Sequence, residues 1–471
     1  MPYKDIREFI AKLEKLGEAQ RIEEEVDWNL EAGAMVRRVS EAGLPAPFFQ
    51  KVKDYSDDYR IFGGVLAKLR RVAIAMDMDA DTPVKELIDV YIDRKQRPVK
   101  PILVKGGPCK ENIQIGDEVD LLKCPVPMVH EGDGGRYIGT WHLTISKDSD
   151  SDWVNWGMYR HMLQNKNTVA LQAGPHTHIR EMFSRYDKPM EVAIAIGVEP
   201  VSTFCAASPI VYGESEVDVV GGIRGEPMEL VKCETVDLAV PATSEIVIEG
   251  EIRPGDVMDE GPFGEYTGYV GGHKAPRPVI HVKAVTHRNN PIFTMSCVGV
   301  PVGDDHAVQA VTRSAGFLEA LRAEGVSVTG VYVPPETVTY LVVVAVKGSS
   351  ARADHVAYTI WASRAGGMTP YVIVVEDDVN PFNMAEVFHA MVTKCHPYRG
   401  IVRLEGSIAS ALVPWATRHE QQFLQGARVY FDCTWPPDWA PEDIPRKCSF
   451  NNIYPAEVQQ RVLAKLSKYG Y

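Results

Sequence analysis

The stretch MEVAIAI at residues 190–196 is a short run rich in β-branched and other apolar residues. Short strands separated by turn-forming residues are typical of an antiparallel barrel or sandwich. The sequence therefore predicts a β-rich central region from about residue 112 to residue 300. Similar runs, separated by Gly and Pro, lie on both sides of it at 141–146, 228–235, 244–252 and 277–286.

The two flanks of this region have an α/β pattern instead. Apolar residues at helical spacing predict a first helix that ends at Gly17. We therefore predict a mixed α/β (α+β) chain with three parts: an N-terminal α/β segment at 1–110, a barrel-like domain at 111–302 and a C-terminal α/β domain at 303–471. The flanking helices are expected near 6–16, 30–42, 306–323 and 355–365, and the flanking strands near 21–26, 60–66, 340–346 and 371–375.

The end of the chain has a different character. Residues 435–450 are rich in Pro, Trp and Asp and have no periodicity. They lead into an amphipathic helix that carries Val458, Val462, Leu463 and Leu466. An extended arm that ends in a helix often packs on a neighbouring subunit, so we expect a homodimer or a higher homo-oligomer.

Composition and charge exclude several classes of protein. The formal net charge is −13 and no run of Lys and Arg is long, which argues against a nucleic-acid partner. The eight cysteines are scattered, which is typical of reduced thiols in the cytoplasm. The N-terminus is charged and no apolar stretch reaches the roughly 18 residues of a membrane span, so neither secretion nor membrane insertion is expected.

The usual signatures of common enzyme classes are also missing. The sequence has no Walker A loop, no GxGxxG that opens a helix, no HExxH and no GxSxG. Three polar segments inside the barrel-like region remain as candidates. They are NWGMYR at 155–160, PHTHIR at 175–180 and DEGPFGE at 259–265.

In the first segment, Asn155 and Arg160 are five residues apart and would face opposite sides of an ideal strand. The chain must bend if both residues serve one site, and Gly157 permits a bend. A solvent-edge strand is the alternative interpretation. In the second segment, His176 and His178 can face the same way as metal ligands do, although such pairs are more often polar loop residues.

In the third segment, Glu260 and Glu265 flank a Gly-Pro-Phe-Gly turn that can bring them towards a common point. Carboxylates that lie close together repel, which raises the proton affinity of one of them and suits it to acid catalysis. An acidic surface turn is the alternative. Upstream, Glu214 and Glu216 add carboxylates, and a set of Asn, His and Glu supplies ligands that suit Mg²⁺ or Mn²⁺.

Taken together, several motifs resemble the UbiD family of decarboxylases. They are the strings at 155–160 and 260–265, PATSEIVIEG at 241–250 and VEDDVNP at 375–381, and the similarity extends over essentially the whole chain. The resemblance implies that residues 111–302 form a split β-barrel that binds prenylated FMN. It also implies reversible decarboxylation of an unsaturated or (hetero)aromatic acid through an adduct between cofactor and substrate.

The resemblance further implies a metal site. Asn155, His178 and Glu216 would hold Mn²⁺, or Mg²⁺, against the cofactor phosphate without a basic patch, and K⁺ would lie near carbonyls around Ala206. A flavin prenyltransferase would supply the cofactor. One departure from some relatives is the absence of a Lys just before Tyr371. The implied cofactor contacts are Asn155, Trp156, Met158, Arg160, Gln172, His178 and Glu216.

The catalytic Glu-Arg-Glu network of the family is matched here by Arg160, Glu260 and Glu265. The last position of the motif is Glu265 in this chain, whereas some relatives carry Asp there. We expect Arg160 to orient the substrate carboxylate and to pair with Glu260, while Glu265 donates the proton that replaces CO₂. A raised pKa of Glu265 is part of this expectation.

The segments at 130–137 and 301–306 are most similar to relatives that act on pyrrole-type or furan-type acids. Asp305 and His306 are therefore candidate substrate-pocket residues, with a helix N-cap at Asp304 or Asp305 as an equally open interpretation. Hydroxybenzoate-type acids remain open. Two other functions also remain open: an FMN-dependent oxidoreductase, and a subunit of a multi-component aromatic carboxylase.

Overall fold

The computed structural model describes residues 3–56, 58–174, 177–347, 352–407, 410 and 412–470. His176, one of the two histidines of the predicted pair, lies outside the described residues. No helix in these described ranges is long and apolar enough to cross a membrane.

The N-terminal segment alternates helices and strands, as predicted. Its first helix begins after Asp5, whose carboxylate accepts a hydrogen bond from the Glu8 N–H, and it ends just before Gly17, which has a φ of 70°. Two strands (46–52 and 102–103) and two helices (69–75 and 84–95) had not been predicted. The elements are α1 Ile6–Lys15, β1 Ala19–Val26, α2 Glu31–Glu41, β2 Ala46–Val52, β3 Arg60–Gly63, α3 Leu69–Ala75, α4 Val84–Lys95 and β4 Ile102–Leu103.

The central region is mainly β, and each predicted run contains a strand. Its strands are β5 Asn112–Ile115, β6 Tyr137–Gly139, β7 His142–Lys147, β8 Val154–Gly157, β9 Arg160–Asn165, β10 Thr168–Gln172, β11 Met190–Ile196, β12 Glu229–Lys232, β13 Ala239–Pro241, β14 Ile246–Glu260, β15 Phe263–Gly264, β16 Val270–Gly271, β17 Ala275–His287 and β18 Ile292–Met295. Its helices are α5 His178–Phe183, α6 Pro200–Ala206 and α7 Glu216–Arg224.

Nine of these strands form one curled sheet in the order β6-β9-β10-β17-β14-β11-β7-β8, with β5 paired to β17. β11 lies inside this sheet, where Ile194 pairs with Ile248 on one side and with Thr144 on the other. Because both of its edges are paired and its side chains are buried, β11 can be almost entirely apolar. The barrel-like prediction is confirmed, whereas the sandwich alternative is wrong because a single sheet curls on itself.

β14 extends beyond the predicted end at residue 252. The register with β17 shifts between Ile252 and Val257, and the strand then continues to Glu260. A bulge of this kind redirects a strand without ending it. The extension carries Glu260 to the edge of the sheet where the polar residues of β9 begin.

The C-terminal region contains a five-stranded sheet in the order β19-β20-β21-β23-β22, as expected for an α/β unit. The N-terminal sheet has the order β1-β2-β3-β18, so the first and second predicted segments share a sheet. The C-terminal elements are α8 Asp304–Ala323, β19 Val328–Tyr332, β20 Leu341–Val346, α9 Ala353–Ala362, β21 Tyr371–Glu376, α10 Met384–Thr393, β22 Ile401–Ser407, α11 Arg418–Phe423, β23 Gln425–Cys433, α12 Phe450–Ile453 and α13 Ala456–Leu466.

Candidate active site

Asn155 and Arg160 lie on two consecutive strands, because β8 ends at Gly157 and β9 begins at Arg160. The predicted bend therefore occurs at residues 158–159. Gly157 is needed for space rather than for an unusual backbone conformation: a Cβ atom there would lie 2.4 Å from the Tyr159 hydroxyl oxygen. The two side chains therefore do not have to share one face of a single strand.

Arg160 pairs with both acids of the predicted network. Its Nε atom donates to Glu260 Oε1 at 2.7 Å and its Nη2 atom donates to Glu260 Oε2 at 3.0 Å. Its Nη1 atom donates to Glu265 Oε1. Paired hydrogen bonds between a guanidinium and a carboxylate are strong and fix both groups geometrically. The structure therefore brings together the three residues that the sequence had placed 100 and 105 positions apart.

The acid turn, defined as residues 260–265, places these carboxylates. Gly261 has a φ of 84°, a left-handed conformation that favours glycine, and it reverses the chain directly after β14. Glu265 follows the two-residue strand β15. Asp259 faces the other way, with 55% of its side chain exposed and a 3.2 Å ion pair to Lys274. The turn thus separates one surface carboxylate from two buried ones.

The surroundings of the two buried acids differ. Burial raises the pKa of Glu265, the Arg160 charge opposes this, and the charges of Glu260 and Asp305 raise the pKa further. The net result is a raised pKa, as predicted from the proximity of the acids. Glu260 receives a third hydrogen bond, from the Tyr137 hydroxyl at 2.9 Å. Glu260 is thus the acid that balances the guanidinium, and Glu265 is the acid that readily holds a proton.

The three predicted metal ligands also converge. His178 Nδ1 lies 2.9 Å from Asn155 Oδ1 and 3.7 Å from Glu216 Oε1, and all three side chains are buried. Octahedral ligands about 2.1 Å from a small divalent cation lie roughly 3 Å apart, so the spacing of Asn155 and His178 matches such an ion, whereas Glu216 lies somewhat farther away. Among the described residues no three His, Cys, Asp or Glu form a metal-binding group, so a metal at this cluster would need Asn155 as its third donor.

Helix ends hold two of these ligands in place. His178 is the first residue of α5 and Glu216 is the first residue of α7, which is capped by the Ser215 side chain. Glu216 Oε2 also accepts the Trp156 backbone N–H at 3.0 Å, which ties α7 to β8. Glu214, in contrast, is exposed and does not join the cluster.

A cavity of about 370 Å³ opens beside this cluster. Arg313 and Arg364 line it, and Arg364 Nη2 contacts His178 Nε2. The resemblance implied that the phosphate is held without a basic patch; the cavity wall nevertheless includes two guanidiniums that the sequence analysis had not singled out. Arg313 already donates to the Ala365 carbonyl oxygen and to Gln309, so Arg364 has the greater freedom to meet an anionic group.

The remaining predicted cofactor contacts lie around the same region. Trp156, Met158 and Ala206 line the cavity. Gln172 is on β10 directly opposite Arg160 in the sheet register, and its side-chain oxygen accepts a hydrogen bond from Arg277. Gln172 is thus next to the acid turn rather than at the metal cluster.

The two predicted pocket residues have different positions. Asp305 lines the cavity, and its Oδ1 atom is buried without a hydrogen-bond partner. His306 is fully buried; its Nδ1 accepts the Gly303 N–H at 2.9 Å and its Nε2 donates to the Tyr266 carbonyl at 2.6 Å. The predicted N-cap at Asp304 or Asp305 is wrong, because Gly303 caps α8 while Asp304 binds the Leu66 N–H and the Ser296 hydroxyl.

Sequence reasoning did not identify Tyr137, Arg313 or Arg364 as site residues. Tyr137 reaches the site from β6, Arg313 from α8 and Arg364 from the turn after α9. Tyr137 lies in the segment 130–137, but that segment was named only for its similarity to relatives, and neither arginine lies in a motif. Only the fold brings Tyr137 to Glu260, 123 positions away.

Comparison with known proteins agrees with this geometry. The family model described as the 3-octaprenyl-4-hydroxybenzoate carboxy-lyase Rift-related domain matches residues 102–301. The N-terminal and C-terminal domain models of the same carboxy-lyase match residues 10–91 and 306–433. Pyrrole-2-carboxylic acid decarboxylase from Pseudomonas aeruginosa is 32% identical over 99% of this chain and 98% of its own.

Solved structures are similar over nearly the whole chain. Vanillic acid decarboxylase from Sedimentibacter hydroxybenzoicus, in its closed form, has a TM-score of 0.90 and 30% identity over 99% of this chain and 100% of its own. An evolved dimeric form of the UbiD-class enzyme HmfF from Pelotomaculum thermopropionicum, in complex with prFMN, has a TM-score of 0.81 and 30% identity over 94% of this chain and 97% of its own. The chain belongs to the UbiD family of carboxy-lyases.

Proposed function

We propose that the protein uses prenylated FMN to decarboxylate, reversibly, a heteroaromatic or otherwise unsaturated carboxylic acid. The observation that carries this proposal is the buried set of Arg160, Glu260 and Glu265, in which one acid balances the guanidinium and the other has a raised pKa. A carboxylate-orienting cation beside a proton donor is what replacement of CO₂ by a proton requires.

The chemical difficulty is the electron pair that CO₂ leaves behind. On an unsaturated carbon this pair lies in the plane of the ring or double bond, where the substrate's own π system cannot accept it. When bound, the prenylated flavin supplies the electron sink for this pair. All other requirements fall to the protein, which has to place the carboxylate, exclude water and deliver a proton to one carbon atom.

Arg160 is the residue that we assign to the substrate carboxylate. Its guanidinium is fixed by Glu260 and stacks over the Phe263 ring, 4.8 Å from the ring centroid. Glu265 is bound to the free end of the same guanidinium and is close enough to Asp305, at the cavity, to be affected by its charge. Protonated Glu265 then delivers its proton to the carbon that has lost CO₂, and accepts one in the reverse direction.

The cofactor phosphate is proposed to bind through a divalent cation. Asn155, His178 and Glu216 offer one amide oxygen, one imidazole nitrogen and one carboxylate, which suit Mn²⁺ or Mg²⁺. Arg364, in contact with His178, would add a direct contact to the phosphate. Trp156, Met158 and Gln172 would contact the flavin, and backbone carbonyls around Ala206 would hold K⁺. The complex of a relative with prFMN supports the choice of cofactor.

The substrate class follows from the cavity and from the relatives. Asp305 lines the cavity, and its buried Oδ1 atom, 3.5 Å from His306 Nδ1, makes no hydrogen bond, which suits a ring N–H or hydroxyl donor. Pyrrole-2-carboxylate carries an N–H and vanillate carries a hydroxyl; decarboxylases of both acids are similar to this chain. An acid with a ring donor is therefore the proposed substrate, with His306 supporting Asp305 from the helix start rather than touching the ring.

Assembly and location are also proposed. Val462 and Leu463 on α13 are exposed, as expected for a helix that packs on a second copy in a homodimer. All eight cysteines are free thiols, which supports a reducing, cytoplasmic location.

The proposal is tested by producing the chain with a flavin prenyltransferase and measuring CO₂ release from pyrrole-2-carboxylate, furan-2-carboxylate and vanillate. CO₂ release by the purified chain alone is the expected result. Unmodified FMN that is bleached by NAD(P)H without CO₂ release would identify an oxidoreductase instead. Activity that appears only after further subunits are added would identify a component of a multi-subunit carboxylase.

A further inference from the structure

A loop remote from the cavity binds the back of the acid turn. This supporting loop, defined as residues 130–134, makes two direct hydrogen bonds to the turn. The Gly264 N–H donates to Asp133 Oδ1 at 2.9 Å, and the Gly134 N–H donates to the Pro262 carbonyl oxygen at 2.7 Å. The amide bound by Asp133 is that of the residue directly before Glu265, so a shift of Asp133 would move the proton donor.

His130 holds Asp133 in turn. Asp133 Oδ2 accepts from the His130 backbone N–H at 3.1 Å and lies 3.0 Å from His130 Nδ1. The other ring nitrogen, Nε2, lies 2.8 Å from the Val298 carbonyl oxygen. Both ring nitrogens therefore face oxygen acceptors, and only the doubly protonated imidazolium can donate to both. The Cys297 sulfur also lies 3.4 Å from Nε2, but the Val298 oxygen is closer, so the geometry favours a charged histidine beneath the acid turn.

The charged groups around His130 favour this state. Burial lowers the pKa of His130, but the hydrogen bonds with Asp133 and with the Cys297 sulfur outweigh it and raise the pKa to about 10. Asp133 belongs to the same loop, and Cys297 follows β18. The turn itself contributes the Phe263 ring, whose centroid lies 5.7 Å from that of the imidazole, and beyond it the Arg160, Glu260 and Glu265 set.

The contact is also sterically close, which leaves the turn little room to move. A Cβ atom at Gly264 would lie 2.6 Å from His130 Nδ1, and a Cβ atom at Gly134 would lie 2.1 Å from the Gly261 carbonyl oxygen. These glycines allow loop and turn to touch through their backbones. The register of the turn against the loop is therefore fixed by packing as well as by hydrogen bonds.

We propose that the ion pair of His130 and Asp133 is the positioning device of the acid turn: Val298 orients His130, His130 orients Asp133, and Asp133 holds the Gly264 amide so that Glu265 stays at Arg160. Neither residue touches the substrate. The inference rests on the proposed function for its catalytic consequence, but the mechanical part can be measured without any substrate.

The first test is amide hydrogen exchange of the full chain, followed by mass spectrometry. Asp133→Asn and His130→Gln should speed exchange in peptides covering 260–265 by about tenfold or more, because hydrogen bonds to a charged group are lost. Peptides from β8 and α7 should exchange as before. His281→Gln is the matched control, since His281 forms a 2.9 Å pair with Asp256 at the exposed end of the sheet. Unchanged exchange at 260–265, or equal acceleration everywhere, would overturn the proposal.

The second test measures the protonation state of His130 in the unsubstituted chain. The His130→Gln variant serves only to identify the His130 signal in the spectrum. Nitrogen-15 spectra of the histidine side chains should find His130 doubly protonated at pH 8, and a neutral ring there would overturn the proposal. In an enzyme that releases CO₂, Asp133→Asn should lower kcat by about tenfold or more with KM and Mn²⁺-dependent FMN binding unchanged. Equal losses in kcat and in FMN binding would indicate a purely structural role. A chain that decarboxylates none of the acids would refute the proposed function, while the exchange result would still decide this inference.

Discussion

Arg160 binds its two acidic partners unequally: Glu260 takes two nitrogens of the guanidinium, at 2.7 and 3.0 Å, whereas Glu265 meets only the third. The fork to Glu260 fixes the direction of the guanidinium plane. The remaining nitrogen is the one that can exchange Glu265 for a substrate carboxylate. This asymmetry leads directly to a prediction for a substitution of Arg160.

Arg160→Lys should lower kcat/KM by about 100-fold or more, although the positive charge is kept. A lysine ammonium is a point charge and cannot hold Glu260 through a planar fork while it binds a second carboxylate. Steady-state CO₂ release measures the effect. Arg253→Lys is the matched control, because Arg253 pairs with Glu251 on the exposed part of β14. Activity of Arg160→Lys near that of the control would exclude the fork from the mechanism.

The pH dependence should report the raised pKa of Glu265. Glu265 donates only when protonated, so decarboxylation should fall as the pH rises through the pKa of this group. The Asp305 charge is one of the causes that raise this pKa, so Asp305→Asn should lower it and shift the alkaline limb of the kcat profile to lower pH. Asp256→Asn removes an exposed charge and should leave the limb in place. If the alkaline limb of the kcat profile moved to higher pH in Asp305→Asn, the assignment of Glu265 as the proton donor would be contradicted.

The proposed metal site predicts that two glutamates only two positions apart differ sharply in their effect on metal binding. Glu216→Gln can still accept the Trp156 N–H but presents an amide group to the cation, so Mn²⁺ affinity should fall by more than about 100-fold, beyond the usual effect of an outer-shell partner. FMN should be lost with the metal. Glu214→Gln, on the exposed side, should bind both normally. Metal analysis after gel filtration checks this, and full Mn²⁺ retention by Glu216→Gln would remove it from the ligand set.

The last helix predicts a change in assembly. Leu463 is exposed on α13, and Leu463→Asp should convert the proposed dimer into a monomer in light-scattering measurements. Arg461→Asp is an exposed position two residues away, on the opposite side of the helix, and should leave the assembly unchanged. A Leu463→Asp protein that remains dimeric would place the interface elsewhere.

The sequence predicted those helices and strands whose bounds are determined by their own residues. β11 has the predicted bounds because a short apolar run with several β-branched residues favours an inner strand, and α1 begins and ends at its own capping residues. The extension of β14 was missed because it depends on the bulge against β17. β2 was missed as well, because it is stabilised by pairing with β1 on one side and β3 on the other, which its own sequence does not reveal.

The sequence motifs predicted the central residues of the candidate site but not the residues that hold them in place. Arg160, Glu260 and Glu265 lie in recognisable strings that indicate their roles. The segment 130–137 was named only for its similarity to relatives, and the contacts of its His130 and Asp133 with the acid turn depend on the tertiary fold, as does the position of Arg364. His306 illustrates the opposite problem. Its position beside Asp305 suggested a substrate contact, yet both of its ring nitrogens bind backbone atoms that hold the start of α8. Sequence proximity does not reveal which of two neighbouring polar residues faces a cavity.

The central claim is that Glu265 supplies the proton that replaces CO₂, and deuterium incorporation tests it most directly. Wild-type enzyme and Asp259→Asn, which alters the exposed acid next to the turn, should release CO₂ in D₂O and place one deuterium on the carbon that carried the carboxylate. Glu265→Gln should bind Mn²⁺ and flavin normally and incorporate none. Deuterium incorporation by Glu265→Gln at the wild-type rate would contradict the account.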